Sequence, residues 1–455
     1  MRSSARMHFA LALAAAALAA CADAGERITA VGAPESVPLA ARQAEVDTSR
    51  FTRRFRAAGG GPVFVRLTGA PGAAALARLQ ELGLGAPQGR LRPEVFDAFN
   101  TVWGVLPAGR VKALASLPWV ERVESSDDED GIFFQASSTP VNSYASEIKW
   151  NLHRVRAPEM WRDFEATGER QLSATGWQSA GIWIIDDGLD YRLHRYTYTT
   201  FDWDKQPINE GNFTTDPTAV HLGTHGTAVG SFAAAEPNND WTAGVAPRAW
   251  LRIAKGLPSG TDWGPIVSSL NAAYTNGPTV INMSLGNCGA TPPTTVRTAL
   301  QRLANRTPAD AGYPGVGVSI VAAGGNGLNG GCTHRNVPYP AAYPEVIAVA
   351  AIDVNNATNS NYAFGSKIEL AAPGLCVDAL AVGGGVNPCI SGTSFAAPHV
   401  AGVIAAIRAK HNNLSAAYVR TRLQQTATKL PGQTLPRDTR VGFGLVNGYA
   451  VLQAP

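Results

Sequence analysis

The sequence predicts an α/β fold with a doubly wound parallel sheet, preceded by a small α+β domain of ferredoxin-like order. From Trp150 onward, short and continuously apolar segments alternate with helical stretches, which is typical of parallel strands covered by helices on both faces. Residues 63–126 instead have the order strand, helix, strands, helix, strand. A chain of 455 residues has room for both domains.

The composition favours a folded enzyme with many tight turns. Charged residues make up 16% of the chain, below the ~25% of an average soluble domain, and there are 47 glycines. The net charge is only +3 and no basic block occurs, so we expect no nucleic-acid partner.

Residues 1–21 predict an export signal. Arg2 and Arg6 precede an apolar run, Phe9–Ala20, that is too short to span a bilayer. The run ends in Leu-Ala-Ala followed by Cys21, which resembles the bacterial lipobox, where the cysteine is lipidated and begins the mature protein. An ordinary signal cut after a small residue is the alternative. We expect an exported protein of the bacterial cell envelope, either an outer-membrane lipoprotein held only by a lipid at Cys21 or a protein secreted after processing.

Residues 22–62 are polar and Ala-rich without a sustained period, and we expect a linker there. The small domain follows at 63–126. Its expected elements are strands at 63–67, 98–106 and 119–124 and helices at 73–84 and 109–117. The acidic run that follows has the composition of a solvated loop, so we expect residues 127–148 to be an exposed connector.

The large domain is expected to span 149–455. Its strands are predicted where apolar runs of strand length occur, with amphipathic or small-residue stretches between them as helices. The strands are expected at 181–185, 249–254, 279–284, 317–323 and 346–351, and the helices at 224–235, 263–276 and 294–305. In such sheets the functional side chains gather at the carboxyl ends of the strands.

Three polar residues stand at positions of that kind. Asp186 ends an apolar strand, His225 lies between glycines at a helix start, and Ser394 precedes a run of small residues. A carboxylate, an imidazole and a hydroxyl are the parts of an activated nucleophile, in which the acid orients the base and the base takes the serine proton. The adjacent glycines are expected to leave room for a substrate backbone. Taken alone, Ser394 is more typical of a helix cap.

The segments IIDDGLD, GTHGTAVG and SGTSFAAPHVAG resemble the three signatures of the subtilisin-like serine proteases, the subtilases, in that family's order. The resemblance implies a subtilisin-like catalytic domain and a serine endopeptidase that hydrolyses polypeptide substrates. It makes Asp186, two residues before Gly188, the orienting acid, His225 the general base and Ser394 the nucleophile.

Two further segments match the family. VAAGGNG resembles the stretch that carries the oxyanion-hole asparagine, which makes Asn326 a donor to the oxyanion together with the backbone N–H of Ser394. MSLG resembles the strand that pairs with the substrate backbone, so Ser284, Leu285 and Gly286 are expected to bind substrate.

Residues from about 60 to 126 resemble the family's inhibitory propeptide. The propeptide is thus expected to be a partner of the enzyme's own active site. The exposed stretch 127–148 is then the expected region of self-cleavage, because a protease reaches the backbone of exposed loops.

Five cysteines are an odd number for an exported protein. With Cys21 set aside, the other four allow three pairings. We favour Cys288–Cys332 and Cys376–Cys389, because each pair lies beside one of the motifs, and disulfides suit an oxidising compartment.

The chain departs from the family pattern in places. The motif Asp186-Asp187-Gly188 resembles that of the kexin branch, in which the middle residue is also Asp. Kexins cut after basic residues by means of acidic pocket side chains, yet the wall segment 284–287, Gly327 and Pro338 are uncharged here. The chain also continues for only about 60 residues after Ser394, too few for the β-domain that kexins carry. We therefore do not expect strict cleavage after Arg or Lys.

No cofactor is expected, and calcium is not assigned. Residues 235–247 resemble the family's calcium loop, with Asn238 as a ligand. The aspartate that usually completes the site falls at Arg195, where a cation disfavours a second cation.

Three other functions compete with the protease. GNGLNG, residues 325–330, fits a dinucleotide fingerprint, but that fingerprint requires a helix to follow at once, and prolines 338 and 340 follow instead. His221 and His225 have metal-ligand spacing, but no glutamate lies between them to act as a base. The third is a surface-anchored binding protein that keeps the fold without activity.

Overall fold

The computed structural model describes residues 51–88, 90–127, 137–138, 148–166, 181–191, 207–237, 241–257, 260, 262–307, 317–411 and 413–453. All of them belong to one compact unit, Gln43–Pro455. The expected export signal, Cys21 and much of the expected linker and connector lie outside the described residues, as do Arg195 and Asn238 of the expected calcium loop.

The small domain has, among its described residues, a four-stranded antiparallel sheet in the order β2-β3-β1-β4. Its strands are β1 (Gly60–Leu67), β2 (Glu94–Phe96), β3 (Thr101–Pro107) and β4 (Val120–Ser125), and its helices are α1 (Arg53–Ala57), α2 (Ala73–Glu81) and α3 (Val111–Ala115). With α2 after β1 and α3 before β4, this is the ferredoxin-like β-α-β-β-α-β order.

Two boundaries in this domain differ from the sequence prediction. The expected linker does not reach residue 62, because Phe51 and Phe55 are 5% and 2% exposed and pack in the core of the domain. Helix α1, which contains Phe55, is too short to leave a periodic pattern. The strand expected from residue 98 begins at Thr101, because a 3₁₀ turn covers Asp97–Phe99 and Asn100 adopts a left-handed conformation (φ 52°).

The small sheet is buried on both faces. One face packs on the helices of its own domain through Val65 and Leu114. The other face presents Phe64 and Trp103 to a cluster that includes Trp263 of the large domain.

The remaining elements belong to the large domain and to the segment that leads into it. The strands are β5 (Ser137–Ser138), β6 (Gly181–Asp186), β7 (Ile208–Asn212), β8 (Trp250–Lys255), β9 (Val280–Met283), β10 (Ser319–Ala323), β11 (Ile347–Ile352), β12 (Ile368–Pro373), β13 (Val377–Leu380) and β14 (Val386–Ser391). The helices are α4 (Trp150–Arg154), α5 (Ala157–Ala166), α6 (Thr224–Ala234), α7 (Gly264–Asn276), α8 (Thr294–Ala304), α9 (Thr393–Lys410), α10 (Ala416–Thr426) and α11 (Gly448–Leu452).

Strands β6 to β12 form one parallel sheet, in the order β12-β11-β10-β9-β6-β8-β7 across the described part of the chain. Helices α6 and α9 pack on one face and α7 and α8 on the other, so the predicted doubly wound architecture is confirmed. Helix α9 is rich in Ala, with Val and Ile, and is buried from Thr393 to Ala409, as expected for a helix that passes through a core.

A smaller antiparallel sheet has the order β13-β14-β5. Its strand β5 pairs with the end of β14, with Ser137 opposite Ser391 and Ser138 opposite Ile390. The expected connector 127–148 is therefore paired at these two residues rather than exposed throughout. None of the helices in the described ranges combines the length and the apolar character needed to cross a membrane.

Candidate active site

An acid and an imidazole meet at the carboxyl end of β6. Asp186 is the last residue of β6 and His225 is the second residue of α6. Asp186 Oδ1 lies 2.7 Å from His225 Nδ1, and both side chains are buried. Such a contact fixes the ring orientation and leaves Nε2 as the nitrogen that can exchange a proton with a third group.

Glycines bring the Asp186 turn and the start of α6 into direct contact. A Cβ on Gly188 would overlap the Val220 carbonyl oxygen, and a Cβ on Gly223 or Gly226 would overlap the Gly188 backbone. The glycines beside His225 therefore serve the packing of the two motifs against each other, where we had expected them to leave room for a substrate.

Asp187 also binds this helix start. Its Oδ2 accepts the backbone N–H of His225 (3.2 Å), and its Oδ1 accepts the backbone N–H of Gly226 (2.8 Å). Burial and the adjacent Asp186 carboxylate raise the pKa of Asp187 to about 6. The sequence motifs assign no task to Asp187, although two consecutive aspartates at a strand end are a signal.

Ser394 lies inside α9 as its second residue, after the N-cap Gly392. The helix-cap interpretation is therefore wrong. Its hydroxyl donates to the carbonyl of Ser284 (3.2 Å), and the Ser284 hydroxyl donates back to the carbonyl of Ser394 (2.7 Å). The two residues are joined by a reciprocal pair of hydrogen bonds.

Pro398 explains why the Ser394 carbonyl is available for that bond. This proline lies inside α9. Proline has no N–H to donate to the carbonyl four residues earlier, which is that of Ser394. The Ser284 hydroxyl takes over this role and is itself oriented by Asn282 Nδ2 (2.9 Å).

Asn326 follows the loop after β10 and faces the same helix start. Its Oδ1 accepts both the N–H (2.9 Å) and the hydroxyl (2.8 Å) of Thr393. Because the carboxamide is planar and its oxygen faces Thr393, its NH₂ group points away from Thr393. The Thr393 hydroxyl in turn accepts the N–H of Gly325 (3.0 Å).

One pocket joins these residues to the expected substrate strand. Its walls contain no charged side chain, and the lining residues are Leu285, Gly286, Asn287, Ala323, Gly325, Asn326, Gly327, Gly330, Cys332, Asn336, Pro338, Thr393 and Ser394. The structure thus brings together the predicted Asn326, Leu285, Gly286 and Ser394 around one cavity. Aromatic contact between His225 and Phe395, with ring centroids 5.7 Å apart, brings the imidazole beside the Ser394 segment.

Both predicted disulfides are present. Cys288–Cys332 joins the segment after Asn287 to the opposite wall of the pocket. Cys376–Cys389 closes the β13–β14 hairpin and does not line the pocket.

The competing sites do not form in the described part of the chain. His221 makes an edge-on contact with Tyr191 (ring centroids 6.0 Å apart), and no group of His, Cys, Asp or Glu among the described residues has the arrangement of a metal site. GNGLNG leads into a 3₁₀ turn, Gly327–Gly330, and not into the long helix that a dinucleotide fold requires.

Comparisons with known proteins show the family to which the chain belongs. Residues 179–444 match the Subtilase family. Subtilisin NAT of Bacillus subtilis subsp. natto and Subtilisin E of Bacillus subtilis (strain 168) are each 30% identical over 364 residues, which are 79% of this chain and 82% of each relative. Subtilisin DY of Bacillus licheniformis is 38% identical over 232 residues, 50% of this chain and 77% of the relative.

A solved structure has the same fold. It is fervidolysin from Fervidobacterium pennivorans, described as a keratinolytic enzyme related to subtilisin, with a TM-score of 0.65 at 21% identity. The match covers 90% of this chain, and the chain spans 62% of the length of that structure.

Proposed function

The chain belongs to the subtilase family and is a serine endopeptidase, and from that premise we propose that Asp186, His225 and Ser394 are its catalytic triad. The observation that carries the proposal is the 2.7 Å contact between the buried Asp186 carboxylate and His225 Nδ1. Asn326 is the proposed side-chain donor of the oxyanion hole.

The mechanism assigns one task to each group. Ser394 Oγ attacks the scissile carbonyl while His225 Nε2 takes its proton, and His225 later gives that proton to the leaving amine. Asp186 holds the imidazole and stabilises the imidazolium that forms. The Asn326 amide and the Ser394 N–H donate to the oxyanion as charge develops on it.

Ser284, Leu285 and Gly286 are proposed to bind the substrate backbone beside the pocket. The pocket takes the side chain that precedes the scissile bond. Its uncharged lining supports a preference for apolar or aromatic side chains, which differs from the cleavage of kexins after basic residues. The resemblance to kexins therefore remains a prediction, and it rests on Asp187 alone.

The small domain is proposed to be an inhibitory propeptide, 63–126 as first delimited and extended here to Phe51. Beyond Ser125 the chain reaches Asp127, which forms a β-bridge with Asp262 of the large domain. Strand β5 then pairs Ser137 with Ser391, close to Ser394 in the chain. Residues 127 and 137, which flank segment 128–136, both pair with the large domain. These contacts support self-cleavage within that segment, so the mature chain is proposed to begin between residues 128 and 137.

Export and lipidation of Cys21, within the proposed signal 1–21, remain part of the proposal. We infer a bacterial envelope protein whose only membrane contact is that lipid. No nucleic-acid partner, cofactor or metal enters the proposed reaction.

Two substitutions test the triad. Ser394→Ala and His225→Ala are each expected to abolish nearly all casein hydrolysis while the protein stays folded, because neither group works without the other. A serine-directed phosphonate should label the wild type and not Ser394→Ala, and the rate should fall on acidification because a protonated imidazole accepts no proton. Substantial activity in Ser394→Ala, or a folded wild type that is neither active nor labelled, as in an inactive binding protein, contradicts the proposal.

A further inference from the structure

Two carboxylates from one turn bind the same histidine in different ways. Asp186 contacts the His225 imidazole, whereas Asp187 accepts the backbone N–H groups of His225 and Gly226 at 3.2 and 2.8 Å. The side chain and the main chain of His225 are therefore attached to adjacent residues of a single strand end.

This turn has little freedom to move relative to the helix. The backbones of Gly188, Gly223 and Gly226 are so close that a Cβ on any of them would overlap a neighbouring backbone atom. A shift of the Asp187 carboxylate must therefore also shift the main chain that carries the imidazole. The Asp187 carboxylate therefore aligns the start of α6 with the turn in addition to capping the helix.

The charge of Asp187 suits both the helix and the reaction. An anion is favourable at the N-terminus of α6, and it also stabilises the positive charge that His225 gains when it takes a proton. The charged groups that act on Asp187 are Asp186 on its own strand and His225 on the facing helix. Because Asp186 and burial both oppose its ionisation, the negative charge of Asp187 at neutral pH is held at a cost in stability.

We propose that Asp187 is a positioning residue of the protease, which holds the main chain of His225 so that the imidazole stays aligned between Asp186 and Ser394. The inference rests on the proposed triad and deepens it. Asp187 acts through His225, so it is expected to affect the rate of the chemical step and not the binding of substrate.

The variant Asp187→Asn in the full chain tests this role, because it keeps the size of the side chain and removes its charge and one acceptor. After active-site titration with the phosphonate, we expect kcat to fall about tenfold and KM to stay within about twofold, since a misaligned base affects the transition state alone. The acid limb of the kcat profile is expected to move to lower pH, because the imidazolium loses a neighbouring anion.

Asp190→Asn is the matched control. Asp190 is buried in the same segment, and its carboxylate accepts the N–H of Gly383 (2.9 Å) in place of an N–H of α6. This control is expected to keep kcat within about twofold and the acid limb unchanged. An equal loss of kcat in both variants would overturn the proposal, because a general disturbance of the segment would then explain the effect.

Unfolding measurements separate positioning from folding. The pKa of Asp187 in the folded protein, about 6, lies above its ordinary value, so the folded state binds more protons between about pH 4 and 6. The contribution of Asp187 to the free energy of unfolding therefore falls as pH rises through that window. In Asp187→Asn this fall should be absent, and the variant should be at least as stable as the parent at pH 8. We would measure this in Ser394→Ala protein to prevent self-digestion.

Failure of the triad and failure of the positioning role give different outcomes. Failure of the phosphonate to label the wild type would refute the triad itself. A labelled wild type with an unchanged kcat in Asp187→Asn, or a variant that loses stability at pH 8 along with its activity, would refute only the positioning role.

Discussion

At the scale of single residues, the orientation of the Asn326 amide depends on Thr393. Thr393→Val keeps the shape and the main-chain hydrogen bond but removes the hydroxyl that donates to Asn326 Oδ1 at 2.8 Å. We expect kcat to fall about tenfold, the effect of losing one neutral hydrogen bond, at unchanged KM. Asn326→Ala is expected to cost roughly 10²–10³ in kcat. Steady-state kinetics on a chromogenic peptide measure both, and an unaltered kcat in Thr393→Val would count against the oxyanion role.

The specificity pocket gives a second prediction at this scale. Its lining has no charged side chain, so large apolar or aromatic residues before the scissile bond should be preferred, with each extra methylene gaining roughly 1–3 kcal/mol. Profiling of the purified enzyme on a peptide library checks this preference. Cleavage only after Arg or Lys would mean that the pocket has been misinterpreted.

The role of a single residue could be predicted where a sequence motif requires one kind of side chain. It could not be predicted where the role depends on residues that are distant in the chain. Asp186, His225 and Ser394 followed from strand ends and motif order. The task of Asp187 did not, because it depends on backbone N–H groups of a helix 38 residues away in the chain. The place of Pro398 inside α9 did not follow either, since the sequence does not reveal that the Ser284 hydroxyl replaces its missing N–H.

At the scale of elements, the contact between the small domain and α7 predicts a substitution with opposite effects before and after processing. A Cβ on Gly264, the first residue of α7, would overlap the indole ring of Trp103 in β3. In unprocessed Ser394→Ala protein, Gly264→Ala should lower the free energy of unfolding by about 1–3 kcal/mol, as overpacking does. In processed enzyme without the propeptide it should be neutral or slightly stabilising, because Ala suits a helix better than Gly.

Denaturant unfolding of both forms measures the effect. In the unprocessed form, Gly72→Ala is the control, since a Cβ there meets nothing within 4 Å. Combining Gly264→Ala with Trp103→Ala should restore part of the stability lost in the full-length protein. A loss of equal size in both forms would show that the effect arises within α7 and not at the propeptide.

Strands with a long apolar run were the predictable elements, although β12, which is buried along its whole length, was missed. The five expected strands of the large sheet appear as β6, β8, β9, β10 and β11 because their runs are apolar on both faces. The edge strand β7 is polar and half exposed, and β5 exists only through its pairing with β14. Neither leaves a periodic signal, so tertiary contact alone defines them.

At the scale of the whole molecule, hydrogen bonds as well as apolar contacts join the two domains. Glu124 at the end of β4 accepts the N–H of Thr294 (2.9 Å) and of Thr295 (2.9 Å) at the start of α8. Both threonine hydroxyls donate to the same carboxylate. The proposed propeptide thus caps a helix of the enzyme, which supports an assisting role in folding as well as inhibition.

The same organisation predicts that processing changes where the enzyme resides. If Cys21 carries the lipid, the anchor lies on the propeptide side of the cut between residues 128 and 137. Acylation supplies membrane affinity of ~0.8 kcal/mol per buried CH₂, and the processed large domain keeps none of it. Self-cleavage is therefore expected to activate the enzyme and to free it from the membrane once the propeptide leaves.

Fractionation of cells that express the wild type and Ser394→Ala tests this release. The variant should stay full-length and sediment with membranes, and the wild type should yield a soluble fragment whose N-terminus lies between residues 128 and 137. Cys21→Ser serves as the control, because its unprocessed Ser394→Ala form should lose the membrane association if the lipid is the anchor. A processed wild-type domain without propeptide carries no lipid. If such a domain still sediments with membranes, the lipid is not what holds it there, and the proposed release is refuted.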